Sequence, residues 1–306
     1  MNVQVPFSKL VGTGNDFVVV DGRRRAIGHA LAGSWKDLAV AMCDRRYGVG
    51  ADGLLVLEPA PSVMARMRVF NPDGSEAEMC GNGARCVARY LSLAAENGRK
   101  GGESNGQRVV TLVTKAGALR AQVHGDTVAM RMTDPTDIRL DASVQVKGRR
   151  LQASSINTGV PHLVVPVSSL DRIDVAKLGR ELRSHRMFAP AGTNVDFTEV
   201  DAEDRQRVRI RTYERGVEGE TLACGTGVVA AAVIHVLHAG RTTRMDSTAA
   251  GAGTRVLVQV RSGEWLTVSL QVTRQGRAVR VSGMVLEGPA RLICHGVFTW
   301  NKKGGR

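Results

Sequence analysis

Aromatic residues are scarce in this chain: three Trp, three Tyr and six Phe among 306 residues, with no stretch in which they alternate with basic ones. The shortage removes the stacking platform on which a single-stranded nucleic acid is bound. The formal charge of +13, with eleven Lys/Arg against three Asp/Glu from 241 to 306, is therefore read as a solvated surface, and no nucleic-acid partner is expected. Long apolar runs are missing too. No stretch approaches the ~18 residues of a membrane-spanning helix, and Met1-Asn2-Val3-Gln4-Val5-Pro6 shows no basic segment followed by an apolar one. No membrane partner is expected, and the cytoplasm is the expected location. Five cysteines at irregular spacing do not make a secreted disulfide framework.

With 43% hydrophobic and 23% charged residues, the chain has the balance of a globular protein large enough for two domains. Period-two alternation predicts strands at Ala65 to Phe70, Val208 to Tyr213 and Ala278 to Met284. Leu54 to Leu57, Val109 to Val113, Leu119 to Val123, Val128 to Met132 and Leu266 to Val272 add further strands. Two helices stand out. One runs from about Cys80 to Asn97, with Ala84, Val87, Ala88 and Leu91 on one face and Gly98 as its stop. The other, Gly227 to Leu237, is apolar nearly all round, as a helix enclosed on every side must be. A third, about Ser34 to Arg45, is expected at the periphery. Asn97 to Gly106 and Arg241 to Thr254 read as loops, and Lys302 to Arg306 as a disordered tail.

Both strong helices open on one pattern. Met79-Cys80-Gly81-Asn82-Gly83 and Ala223-Cys224-Gly225-Thr226-Gly227 each set a cysteine and Gly-X-Gly before helix-forming residues. A cysteine in the first turn lies beside unpaired N–H groups and the positive end of the helix dipole, which favour its thiolate. The glycines let an anion approach the same N–H groups. Two such cysteines suggest duplicated halves that each give one thiol to a shared site. Thiols acting on one carbon from opposite sides make a two-base racemase. Cys43, Cys86 and Cys294 lack the glycine context and are read as structural.

The run Asn71-Pro72-Asp73-Gly74-Ser75-Glu76-Ala77-Glu78-Met79-Cys80-Gly81-Asn82-Gly83-Ala84-Arg85-Cys86 closely resembles the diaminopimelate epimerases. Gly12-Thr13-Gly14-Asn15-Asp16-Phe17, Gly48 to Leu54, Gly192-Thr193-Asn194-Val195-Asp196-Phe197, and Tyr213-Glu214-Arg215-Gly216 running on to Gly227 extend the likeness from about Phe7 to about Phe298. The resemblance implies an α+β fold of two pseudo-symmetric halves, each a β-rich, barrel-like sheet around a central helix. It places the halves at 1–126 with 287–306, and at 127–286. It further implies a homodimer, diaminopimelate as the small-molecule substrate, and no cofactor and no metal.

In that family's pattern Cys80 and Cys224 are the catalytic pair, one abstracting the α-proton and the other returning a proton to the opposite face. The N–H groups of Gly81, Asn82, Gly225 and Thr226 hold the reacting carboxylate. Asn15, Asn71, Asn194, Glu214 and Arg215 match substrate-binding positions, Arg215 suiting a distal carboxylate and Glu214 an ammonium. His162, in Gly159-Val160-Pro161-His162, matches a histidine near a catalytic thiol and supports it. Two positions depart from the pattern: Val160, where many members carry a substrate-contacting Asn, and Gly53, where some carry Gln. Asn157, three residues before Val160, is positioned to compensate.

Rival functions are epimerisation of another amino acid, such as proline or hydroxyproline, and ligand binding without catalysis. Asn82 favours the diaminopimelate branch, since proline-type enzymes typically carry His there. Gly48-Val49-Gly50-Ala51-Asp52-Gly53 fits G-x-G-x-x-G, but a strand-like run follows it where a dinucleotide site needs a helix. His235 and His238 share a helix face without a third ligand at suitable spacing.

Overall fold

The computed structural model describes residues 2–97, 107–146, 148–242, 253–275 and 278–301. In chain order these form β1 (Asn2–Gly12), β2 (Asn15–Asp21), α1 (Arg25–Leu31), α2 (Trp35–Cys43), β3 (Gly53–Glu58), β4 (Ala65–Phe70), β5 (Glu76–Ala77), α3 (Gly81–Asn97), β6 (Gln107–Thr114), β7 (Gly117–His124) and β8 (Thr127–Arg131). There follow β9 (Thr136–Val146), β10 (Arg149–Asn157), β11 (Pro161–Pro166), α4 (Val175–Arg183), β12 (Asn194–Val200), β13 (Arg207–Glu214), β14 (Gly219–Thr221), α5 (Gly225–Thr242), β15 (Thr254–Gln259), β16 (Trp265–Gln275), β17 (Ala278–Pro289) and β18 (Arg291–Asn301). The chain divides into two compact units, Met1–Met130 with Gly288–Arg306, and Arg131–Glu287.

In the first unit β18, β1 and β2 run antiparallel to their neighbours, β2 pairs parallel with β3, and β3 is antiparallel to β4. Then β4 pairs parallel with β6, and β6 and β7 continue antiparallel. The second unit repeats the scheme. Antiparallel β9, β10 and β11 lead to a parallel β11–β12 pair, β12 is antiparallel to β13, β13 is parallel to β15, and β15, β16 and β17 are antiparallel. Parallel neighbours cannot be joined by a tight turn. In the first unit α1 and α2 cross from β2 to β3 and α3 crosses from β4 to β6. In the second, α4 and α5 make the equivalent crossings.

Each sheet is thereby covered on both faces, which explains the unbroken apolar run of β3. Leu54 and Val56 join the core that holds Leu31, Trp35, Leu38 and Met42, whereas Leu55 faces α3, where a Cβ added at Gly83 would lie 3.0 Å from it. In the second unit Val195 and Phe197 pack with Val175 and Leu182 of α4. The alternate residue, Asp196, faces α5. Val228 to Val233 of α5 are all buried, and the helix packs on β10, β11, β12, β13, β15 and β16.

The predicted strands all lie within or overlap observed ones, and both strong helices form; α5 starts two residues earlier and runs on to Thr242. The third helix lies on the outer side of the first unit, with Lys36, Asp37 and Val40 exposed. Trp35, Leu38, Ala39, Met42 and Cys43 of α2 are buried and seal the outer face of the first unit's sheet. Sequence periodicity missed α1 and α4, short helices each interrupted by a glycine (Gly28, Gly179). Gly98, most of the two predicted loops, and the tail lie outside the described residues. Since Leu38 is fully buried, Leu38→Ala is expected to cost about 2–5 kcal/mol. Urea denaturation checks this as a lower midpoint at unchanged slope.

Candidate active site

Cys80 and Cys224 both occupy the N-cap position of an enclosed helix. The Cys80 carbonyl accepts the first intrahelical bond from Ala84 (2.8 Å), and the Cys224 carbonyl accepts from Val228 (2.9 Å). Cys80 is half-buried, and its Sγ accepts the Gly83 N–H at 3.4 Å, as a capping side chain does. Cys224 is buried, with Sγ 3.4 Å from the Thr226 hydroxyl. At Cys224 the surroundings work against the thiolate that the helix start favours. Burial raises its thiol above the ordinary range, the charges of Glu214 and Asp196 add to this, and the Thr226 hydroxyl and Gly227 N–H only partly offset them.

In the first unit a hydrogen-bonded chain orients two predicted substrate-binding residues. Asn82 donates to Asn15 Oδ1 (2.8 Å), and Asn15 donates to Asp52 Oδ2 (3.0 Å). Asn82 Oδ1 accepts from Thr13 (3.3 Å) and Arg85 (2.8 Å), and Arg85 also donates to Thr13. At the outer end Arg45 bridges Asp52 and Asp16, both at 2.7 Å. Burial opposes ionisation of Asp16, yet Arg45 and Lys9 outweigh it and hold the carboxyl at about 2. Asp52 thus shows what the Gly48 to Gly53 segment does: it anchors Asn15, and strand β3 begins at Gly53. Asn71 lies apart from this chain in a turn, donating to Ser75 Oγ (2.9 Å).

The second unit gathers more. His162 is fully buried, with Nδ1 2.7 Å from Asp196 Oδ2 and Nε2 2.9 Å from Thr226 Oγ1. Asn194 donates to the Pro161 carbonyl (3.2 Å), stands 3.4 Å from His162 Nε2 through its amide, and accepts the Arg215 N–H at 2.8 Å. The Arg215 guanidinium reaches the Ala191 carbonyl (3.4 Å) and forms no ion pair among the described residues, so it remains available to a carboxylate. Burial raises the Glu214 carboxyl, and its charge is among the causes that raise the Cys224 thiol. Asn157 accepts the Gly159 N–H (2.9 Å) and shapes the turn that carries Val160. Sequence reasoning missed Asp196 and Thr212, whose hydroxyl donates to Asp196 Oδ1 at 2.7 Å. The signal was an acidic residue on the same side of an apolar strand as Asn194.

The remaining cysteines divide. Cys43 and Cys86 are buried, and burial pushes both up to about 12, as inert core thiols require; Cys294 is exposed, so the structural reading does not hold there. His235 bonds the Arg205 carbonyl (2.7 Å) and His238 pairs with Asp141 (3.2 Å), so each ring has its own protein partner. Because burial and like charge keep Cys224 protonated, iodoacetamide is expected to modify it slowly at pH 8. Glu214→Gln removes one negative charge and should speed that modification several-fold. Peptide mass spectrometry against time checks both.

The diaminopimelate epimerase family model matches residues 7–138 and 154–292. Diaminopimelate epimerase from Aquifex aeolicus (strain VF5) is 41% identical over 269 residues, 86% of this chain and 88% of that one. The enzyme of that name from Chlorobaculum tepidum is 36% identical over 294 residues, covering 94% of this chain and 99% of its own. Among solved structures, a hydroxyproline epimerase from Agrobacterium vitis aligns with a TM-score of 0.67 at 19% identity, over 98% of this chain and 94% of that one. A Bacillus anthracis phenazine biosynthesis protein of the PhzF family aligns at 0.65 and 17%, over 97% and 99%. The structural likenesses establish a shared α+β fold of two repeated halves. The sequence matches are long and span both cysteine motifs: the chain belongs to the diaminopimelate epimerase family.

Proposed function

We propose that this chain interconverts LL- and meso-diaminopimelate without a cofactor, and that Cys80 and Cys224 are its two acid–base groups. One observation carries the reading: each unit places one cysteine at the N-cap of its enclosed helix. The reaction needs a proton removed from one face of the α-carbon and another returned to the opposite face. Two thiols accomplish this without moving a base across the carbon, and they exchange roles when the direction reverses.

The carbanion formed beside a carboxylate is costly. The N–H groups of Gly81, Asn82, Gly225 and Thr226, at the first two positions of α3 and α5, supply preorganised donors for that carboxylate. Asn15, Asn71 and Asn194 bind the polar groups of the substrate, and Arg215 grips its distal carboxylate. Glu214 influences Cys224 besides, and His162 supports the same thiol. The first functional half runs 1–126 with 287–306, the second 127–286. The protein acts as a cytoplasmic homodimer on this small molecule, without nucleic acid, membrane or metal; among the described residues no helix is long and apolar enough to cross a membrane.

Proton NMR of LL-diaminopimelate in D2O with the reduced protein tests the reading. Loss of the α-proton signal with appearance of the meso isomer is expected. Cys80→Ser and Cys224→Ser should each slow it by at least about 10²-fold. No exchange by the reduced wild-type protein defeats the proposal.

A further inference from the structure

The two units repeat one scaffold, so their residues correspond by register. Phe17↔Gly53 opens the parallel pair of the first unit and His162↔Asn194 that of the second. Two steps along, Leu55 corresponds to Asp196. Across the next antiparallel pair Leu55 opposes Val69, and Asp196 opposes Thr212. Where the first unit has Phe17, Leu55 and Val69, the second has His162, Asp196 and Thr212. Leu55 lies under the third residue of α3, and Asp196 with Thr212 under the third residue of α5. A Cβ at Gly83 would meet Leu55 at 3.0 Å; one at Gly227 would meet Asp196 Oδ1 at 2.5 Å and Thr212 Oγ1 at 3.3 Å. The first unit therefore forms the same pairings with an apolar trio. The polar trio has another reason to be there.

We infer that Asp196 is a positioning residue for the epimerisation, holding His162 so that the imidazole serves Cys224 through the Thr226 hydroxyl. The inference rests on the reading of Cys224 as one of the two acid–base thiols. His162 Nδ1 faces a carboxylate, so it carries the proton and donates to Asp196 Oδ2 (2.7 Å). Nε2 is then an acceptor for the Thr226 hydroxyl (2.9 Å), whose oxygen lies 3.4 Å from Cys224 Sγ. When Cys224 must abstract, its proton passes to Thr226 Oγ1 as the Thr226 proton passes to His162 Nε2, leaving a thiolate and an imidazolium beside the Asp196 carboxylate. Charge and protons balance, and the reverse shift restores the thiol. This relay offsets the burial that otherwise makes the Cys224 thiolate expensive. It also explains a fully buried Asp–His pair: with both side chains at 0% exposure, neither is stabilised by water, and the imidazolium formed by the relay has the carboxylate as its partner.

Thr212 makes the test sharp. Its hydroxyl donates to Asp196 Oδ1 (2.7 Å), so in Asp196→Asn the remaining carbonyl oxygen stays with Thr212 and the new amide N–H group faces His162 Nδ1. That forces the opposite tautomer, as the analogous substitution does in a serine-protease triad. Long-range 1H–15N NMR on histidine-labelled protein, with the His162 signal assigned from His162→Phe, is expected to show the Nδ1–H tautomer in the wild type and Nε2–H in Asp196→Asn. The kcat of Asp196→Asn should fall by about 10²- to 10⁴-fold, with KM within about twofold. The double variant His162→Phe/Asp196→Leu, which copies the first unit's residues, should fold and lose the same kcat. An Nε2–H tautomer in the wild type overturns the inference. So does wild-type kcat in Asp196→Asn or in the folded double variant, or a loss carried by KM. Failure of the wild type to turn over diaminopimelate is separate: it defeats the proposed function, while the tautomers still decide whether Asp196 positions His162.

Discussion

Everything about this chain's chemistry depends on the crossover between parallel strands. The β4–β6 and β13–β15 pairs cannot be closed by a turn, so a helix must leave the sheet and return along its face. Strands of the same unit surround that helix, and its first turn therefore falls at a defined place with its N–H groups unpaired by the helix itself. A cysteine at the N-cap inherits both the place and the field. The duplication of the scaffold, rather than any single motif, puts two thiols under the same constraint.

The same enclosure sets a cost. Nine apolar residues of α5, Val228 to Ile234 with Val236 and Leu237, are buried, and removing such side chains from water contributes of order 1.5–3 kcal/mol for each Val, Leu or Ile. The environment that stabilises the helix in this way penalises a charge at its start, and Cys224 responds by holding its proton. Half-buried Cys80, capped by the Gly83 N–H, sits in a different setting. Equivalent positions in a repeated scaffold thus have different surroundings: Cys224 is buried and Cys80 half-buried. A fixed carboxylate and imidazole in the second unit stand where the first has a leucine and a phenylalanine.

Much of the architecture was legible from local pattern. Alternation located strands such as β4 and β13, because a half-buried strand shows its two faces directly in sequence. The all-apolar run of α5 announced enclosure. The helix α2 was visible as a helix, but the extent of its burial was not. Five of its nine residues are buried, and only the sheet beneath it reveals that. Helices α1 and α4 escaped notice because a short segment with an internal glycine carries little helical signal, and packing rather than propensity holds it.

At the candidate site, sequence by itself determined the two Cys-Gly-X-Gly helix starts, the family, and the residue types at Asn15, Asn82, Asn194 and Arg215. These are contiguous motifs, and their meaning survives without coordinates. Only the tertiary structure decided that Asp196 meets His162 from 34 positions away, that Glu214 acts on Cys224, and that Asp52 anchors Asn15. Protonation belongs to the same class. A helix N-terminus argues locally for a thiolate, whereas desolvation depends on every strand packed around it, and at Cys224 burial is the largest cause that raises the thiol.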